Sequence, residues 1–277
     1  MDYIRLHIEL ADDLHELVIA ELFELDFEGF EQENNLLIAS VPSSRFDDVK
    51  REEITKILYS FDDAELIKEE LVSPQNWNEK WENSIEPQTI GNFYVRPTWA
   101  KELPSDSDLT ELLIDPKMAF GTGYHATTRL ILGWLSEIIN KGDKVLDAGT
   151  GTGILGIATL KLGADSVFGF DIDEWSEDNS KENIALNEVE GFEVKLGSTE
   201  VIPSDSVFDV ILANINRNAL IELIPELLSF LKKEGTLLLS GLLEGDEQTI
   251  LNLESVKKLT HLETRQNGEW IAILLRK

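Results

Sequence analysis

Val145-Leu146-Asp147-Ala148-Gly149-Thr150-Gly151-Thr152-Gly153-Ile154-Leu155-Gly156 reads as a buried strand that runs into three alternating glycines and then into a helix. Glycines at a strand-to-helix turn let the backbone reverse sharply and let a ligand approach it closely. Outward from this stretch, strand and helix alternate. Further strands are expected at Ser166–Phe170, Phe192–Leu196, Asp209–Ala213 and Thr236–Ser240, with helical spacing between them. Upstream, Phe93–Arg96 and Leu112–Asp115 read as short strands, and Leu130, Ile131, Trp134, Leu135 and Ile138 mark a helix face. Such alternation predicts a parallel sheet with helices on both faces. The final pattern differs: Lys258–Thr264 and Trp270–Arg276 flank Gln266-Asn267-Gly268, a hairpin signal. The expectation is an α/β fold: a doubly wound, mostly parallel, Rossmann-like sheet of seven strands whose last two form an antiparallel hairpin.

A ligand in such a fold sits at the carboxyl ends of the strands, beside the switch point of the sheet. Asp171, 22 residues after Gly149, ends the next strand in Phe170-Asp171-Ile172-Asp173. A carboxylate there can accept both hydroxyls of a ribose; the alternative is a helix cap. Gly151, Gly153 and Gly156 also satisfy G-x-G-x-x-G, so a dinucleotide stays open on that pattern. Three features favour S-adenosylmethionine. Asp147 places a negative charge just before the glycines, unhelpful to a pyrophosphate and helpful to a sulfonium and an amino group. The spacing to Asp171 is better counted from Gly149. The terminal hairpin is expected of methyltransferases. Asn214, at the tip of the fourth strand in Leu212-Ala213-Asn214-Ile215-Asn216, would face the reactive end of the cofactor and accept from an amine; otherwise it is a turn or cap residue. Glu200 is a weaker candidate beside the adenine.

Residues 1–72 read as a separate α+β unit in the order strand, helix, strand, strand, helix, strand, the split pattern of a ferredoxin-like domain. Asp12 and Asp13 are expected to cap the first helix, with Leu14, Leu17, Val18, Leu22 and Leu25 on one face. Ser43 and Ser44 are expected to open the second, with Phe46, Val49, Ile54, Ile57 and Leu58 inward. Residues 73–90 are expected to be a helical linker in which Trp77 and Trp81, four apart, share a face. The larger domain is expected to span 91–277.

The 277 residues carry 53 acidic and 24 basic side chains, a net charge of −29. Residues 1–72 hold 20 acidic and 6 basic, or −14, about half of the excess in a quarter of the chain. A surface this negative repels phosphate backbones and favours a basic partner. There is no cysteine, so disulfides and cysteine-bound zinc are excluded and a reducing compartment is the easier fit. No metal site, signal peptide or membrane-spanning run is evident. A monomer in the cytoplasm, without membrane or direct nucleic-acid contact, is the expectation.

At this point a resemblance becomes specific. Asp115-Pro116 through Thr128 is similar to the signature D-P-G-x-A-F-G-T-G-x-H-P-T-T of the ribosomal protein L-eleven methyltransferase family, class I protein methyltransferases dependent on S-adenosylmethionine. Gly169-Phe170-Asp171-Ile172-Asp173, Ala213-Asn214-Ile215, Ser240-Gly241-Leu242-Leu243 and Gly268-Glu269-Trp270 also match, and the likeness covers nearly the whole chain. Ala126 stands where the family has proline, Thr150 and Thr152 where it has Cys and Ser, and Asn216 where an apolar residue is usual. The resemblance implies substrate recognition by the N-terminal domain. It implies cofactor contacts at Thr128, Gly149, Asp171 and Asn214, with Gly151 and Asp147 in the same turn. It also implies a loop from Phe120 and Gly121 to His125 that folds over the cofactor. The implied reaction methylates lysine side-chain and N-terminal amines of the eleventh protein of the large ribosomal subunit. Asn214 is the candidate to orient the amine; His125 can take a proton or stabilise the loop. Alternatives are a methyltransferase of another protein, a small molecule or nucleic acid, a dinucleotide-dependent oxidoreductase, or a non-catalytic adaptor.

Overall fold

The computed structural model describes residues 2–61, 64–72, 85–117 and 119–277. Two compact units divide it, Met1–Trp77 and Asn78–Lys277. The tryptophan pair expected in the linker lies outside the described residues.

In the first unit, β1 (Tyr3–Glu9), α1 (His15–Phe23), β2 (Gly29–Glu33), β3 (Leu36–Pro42), α2 (Asp48–Leu58) and β4 (Glu65–Val72) follow the expected order. The sheet order is β2-β3-β1-β4, antiparallel throughout. Leu6 and Ile8 of β1 meet Leu37, Ala39 and Val41 of β3, Val18 and Leu22 of α1, and Ile54 and Leu58 of α2 in one core. Three local expectations fail. Asp12 and Asp13 lie in a 3-10 turn ahead of α1 and make no side-chain cap. Ser43 and Ser44 form another such turn, and Asp47 caps α2 by accepting from the Lys50 N–H at 2.8 Å. An aspartate in extended backbone satisfies a free amide of the first turn directly, which the preceding serines cannot reach. Leu17 and Val49 are exposed, because each lies beside the buried stripe of its helix.

Among the described residues, the first element of the second unit is β5 (Gln88–Ile90), a strand inside the segment expected to be a helical linker. It pairs with β6 (Phe93–Arg96), which pairs in parallel with β7 (Thr110–Leu113). Then come α3 (Ala126–Ile138), β8 (Lys144–Ala148), α4 (Ile154–Lys161), β9 (Ser166–Asp171), α5 (Glu174–Leu186), β10 (Phe192–Leu196), β11 (Phe208–Asn214), α6 (Arg217–Phe230), β12 (Leu231–Leu243), α7 (Glu247–Leu251), β13 (Thr260–Asn267) and β14 (Trp270–Arg276).

The large sheet has the order β10-β9-β8-β11-β12-β14-β13. Its first five strands are parallel, and β14 runs antiparallel to both β12 and β13. Successive residues of the central strands enter opposite cores. Val145, Val210, Leu212 and Leu238 join α3 and α4 on one face. Leu146, Ile211, Ala213, Leu237 and Leu239 join α6 on the other. Burial on both faces is why these strands read as unbroken apolar runs. The helices after β8 and β11 leave toward opposite faces, so a crevice opens beyond the carboxyl ends of those strands. The hairpin turn is Gly268-Glu269, with Asn267 paired to Trp270, one residue later than Asn-Gly predicts. Gly268 takes the left-handed conformation there, at φ 63°.

Candidate functional site

A cavity of about 560 Å³ occupies that crevice. The turn after β8 forms its floor. Gly149 and Gly151 have φ of 71° and 54°, and both line the cavity. A side chain at Gly149 would strike Ile215 Cγ2 at 2.2 Å, and one at Gly151 would strike the Phe120 carbonyl at the same distance. Glycine is therefore demanded twice over, by backbone conformation and by close approach.

Asp171 closes one side. Its Oδ2 accepts from the Gly151 N–H at 2.9 Å and its Oδ1 from the Asp173 N–H at 3.1 Å. Burial raises its pKa against the opposing pull of those donors. Each carboxylate oxygen keeps a lone pair for a further donor. Asp173 caps α5, accepting from the Trp175 N–H at 3.1 Å, so capping falls to Asp173 and leaves Asp171 facing the cavity.

Asn214, at the end of β11, is 9% exposed. Its Nδ2 donates to Thr128 Oγ1 at 3.3 Å, and its Oδ1 is buried with no partner. An unmet carbonyl oxygen beside a cavity is costly unless a ligand donor arrives. Thr128 itself, 0% exposed, stands behind Asn214 and holds its amide. His125 caps α3: its Nδ1 lies 2.8 Å from Thr127 Oγ1 and 3.4 Å from the Thr127 N–H. The ring packs edge-on between Phe120 and Trp270, at centroid distances of 5.2 and 4.6 Å. All three rings line the cavity.

Asp147 is not a wall residue. It is 0% exposed, beneath the glycine turn, where Oδ2 accepts from Thr150 Oγ1 at 2.8 Å and the Gly156 N–H at 3.1 Å. Its Oδ1 has no partner. Burial drives its pKa up to about 7, and the nearby Asp171 carboxylate adds to the rise. Gly121 likewise stands outside the cavity wall; its carbonyl accepts from Thr152 Oγ1 at 2.6 Å, while the Phe120 carbonyl accepts from the Thr152 N–H at 2.8 Å. The structure thus brings Phe120, His125, Gly149, Gly151, Asp171 and Asn214 to one cavity and puts Asp147, Thr128 and Gly121 in the layer that supports it.

Sequence reading did not assign Trp270, Ile215, Ser198 or Gly241, which are among the other residues of the wall. Trp270 and Gly241 stood within the matched motifs without a role. Glu200, the other weak candidate, is exposed and its Oε1 accepts from the Ser198 N–H at 2.9 Å; it shapes the turn after β10. Among the described residues, no group of three His, Asp or Glu side chains could hold a metal.

The sequence model of the ribosomal protein L11 methyltransferase family matches residues 8–277. The ribosomal protein L11 methyltransferase of Porphyromonas gingivalis is 39% identical, over 99% of this chain and 97% of that protein. The one from Chlorobaculum parvum is 36% identical, over 99% and 96%. This chain belongs to that family. It is accordingly a methyltransferase, and the oxidoreductase and adaptor readings fall away. The crystal structure of a ribosomal protein L11 methylase from Lactobacillus delbrueckii subsp. bulgaricus superposes with a TM-score of 0.64 at 32% identity, covering 70% of this chain and all of that one.

Proposed function

We propose that the protein transfers methyl groups from S-adenosylmethionine to amines of ribosomal protein L11, on lysine side chains and at the N-terminus. The observation that carries this reading is Asn214, a residue of the cavity wall whose amide nitrogen is committed to Thr128 and whose buried amide oxygen has no hydrogen-bond partner. The cavity also fits the cofactor. Asp171 retains acceptor capacity for ribose hydroxyls. Gly149 and Gly151 hold the floor flat. Asp171, the carboxylate that lines the cavity, favours a cation there in its ionised form.

S-adenosylmethionine, when bound, supplies an electrophilic methyl carbon on a sulfonium. Asp171 and the glycine turn would hold its ribose, and Phe120, His125 and Trp270, which line the same cavity, would shield the reaction from water. A lysine amine titrates near 10.4 in water and attacks only when neutral. An apolar wall favours the neutral form by denying the ammonium its hydration. Asn214 Oδ1 accepts an N–H of that amine and aims its lone pair, so the chain's own contribution is alignment. His125 is held by Thr127 and between two rings, which makes it a loop-stabilising residue and not the proton acceptor.

The acidic N-terminal unit attracts the basic substrate and steers its approach. The enzyme works as a cytoplasmic monomer, without nucleic acid or membrane; none of the described helices is long and apolar enough to cross one.

The test is calorimetric titration with S-adenosylhomocysteine on the wild type and Asp171→Ala, followed by mass spectrometry of L11 after incubation with S-adenosylmethionine. Micromolar binding, weakened roughly a hundredfold by the substitution, and mass gains in 14-dalton steps are expected. A folded wild type that binds nothing, or leaves L11 unmodified, would sink the proposal.

A further inference from the structure

Asn179, Asn183 and Asn187 stand four apart on α5 and its C-cap, and all are buried. Four apart on a helix normally makes one face, and a face of asparagines would normally be wet. Here it meets the free edge of β7 and its extension. Asn187 Oδ1 accepts from the Leu113 N–H at 3.0 Å, and its Nδ2 donates to the Leu113 carbonyl at 2.6 Å. Asn183 repeats the pattern two strand residues later: Oδ1 accepts from the Asp115 N–H at 2.9 Å, and Nδ2 lies 3.4 Å from the Asp115 carbonyl. Asn179 Nδ2 also donates to the Asp115 carbonyl, at 2.9 Å. Ile114, between them, donates instead to Arg96 of β6 at 2.9 Å.

The geometry is that of a strand pairing with side chains. A primary amide offers the same donor and acceptor as a peptide group. Four helical residues rise about 6 Å, close to the roughly 6.6 Å between alternate residues of a strand. A helix can therefore present amides in near register with a strand edge.

One rung does more than the others. Asn183 Nδ2 also donates to the Thr152 carbonyl at 3.0 Å, in the glycine turn. Thr152 in turn holds the Phe120 and Gly121 carbonyls through its N–H and hydroxyl. Asp115 precedes the Phe120–His125 loop, and its carboxylate is itself held by the Thr98 N–H and hydroxyl at 2.7 and 2.9 Å. A single side chain thus fixes both the root of that loop and the turn to which its tip is tied.

We propose that Asn183 is a positioning residue that sets the Phe120–His125 loop over the cavity by joining Asp115 to Thr152, while Asn187 only attaches the strand. The part of this that concerns cofactor affinity rests on the cofactor reading above; the part that concerns the loop does not. The experiment compares Asn183→Ala with Asn187→Ala in the full chain. Hydrogen-exchange mass spectrometry of Ala119–Tyr124 is read without ligand, and S-adenosylhomocysteine affinity is read by calorimetry.

Both variants should melt lower. Only Asn183→Ala should speed exchange in the loop and raise the Kd, by about tenfold, with Asn187→Ala within twofold of wild type. Equal exchange in the two variants overturns the proposal whether or not the wild type binds the ligand. Failure of the wild type to bind, with loop exchange split as expected, overturns the cofactor reading alone.

If Asn183→Ala does not fold, Asn183→Asp replaces it. Its buried carboxyl faces two carbonyl oxygens, which favours the protonated form. Once protonated it can donate to Thr152 as the amide did. Loop exchange relative to wild type at the same pH should fall from pH 8 to pH 6; a ratio unchanged across that range also overturns the proposal.

Discussion

In the N-terminal unit, charged side chains meet at the surface. Arg5 pairs with Glu31, Lys50 with Asp26, Arg51 with Asp48 and Glu69, and Lys68 with Glu70, at least one partner of each pair being substantially exposed. The core beneath them is apolar, with His15 as the buried polar exception among the described residues. In the C-terminal unit, polar side chains go inside: Asp147, Thr128, Asn214 and the three asparagines of α5 are all buried and nearly all hydrogen-bonded. Exposed pairs are weak and screened by salt. Buried amide networks are not screened, and they hold geometry. The acid left over after such pairing, a net −14 over residues 1–72, suits attraction of a basic chain, and the buried network suits alignment of reacting atoms.

Four outcomes break or sharpen this contrast. The largest effect is expected at Asn214→Ala, where kcat for methyl transfer should fall about a hundredfold while S-adenosylhomocysteine still binds, because alignment is lost and the ribose end is untouched. Single-turnover kinetics beside calorimetry separate the two; an equal loss of binding would make Asn214 a cofactor residue first.

Next is Gly151→Ala. The added methyl meets a backbone carbonyl and cannot be relieved by a rotamer. Affinity for the same ligand should drop about tenfold with only a few degrees lost in Tm. A change in Tm with unaltered affinity would show that the loop does not report to the cavity.

Smaller is the effect of replacing several N-terminal acids, such as Glu52, Glu53 and Glu65, by glutamine. KM for L11 should rise a few-fold at low salt, with no difference at high salt and no change in cofactor affinity. A salt-independent change would mean that contact, not steering, was removed.

The last outcome concerns Asp147 and is read in stability instead of activity. Its folded pKa of about 7 exceeds the ordinary 3.8, so the folded state holds a proton that the unfolded chain has released. This contribution to stability is fully present below the unfolded pKa and is lost as pH rises toward 7 and through it. Asp147→Asn removes the titration. The Tm of the variant minus that of the wild type should therefore grow more positive from pH 5 to pH 8, by calorimetry. A flat difference would show Asp147 ionised throughout.

The frame of the catalytic unit was legible because strand tips carry their own signature. Apolar runs ending in Asp147, Asp171 and Asn214, with glycines at fixed distance, place three side chains at one edge of a parallel sheet. Other residues of the cavity wall meet only through the fold. Ile215 approaches Gly149, and Gly241 approaches Ile215, through the sheet order, and Trp270 reaches His125 because β14 inserts beside β12. Asn179, Asn183 and Asn187 were illegible for a different reason: polar residues at helical spacing read as a solvated face until a strand edge is known to lie against them. In the N-terminal unit, the order of the elements followed from alternation, while the caps did not. Asp47 and the serines before it are equally good capping types, and only backbone geometry chooses between them.

The Thr128–Asn214 bond fixes which way the amide of Asn214 points, and so leaves this part of the wall an oxygen that can only accept. Such a wall counts hydrogens. An incoming amine that still carries an N–H is gripped, and one whose hydrogens have all been replaced offers nothing to grip. On the proposed reaction, the same oxygen that orders the nucleophile ceases to hold the product once the nitrogen is fully substituted. Completion of the chemistry thereby weakens its own hold on the side chain, and release needs no separate device.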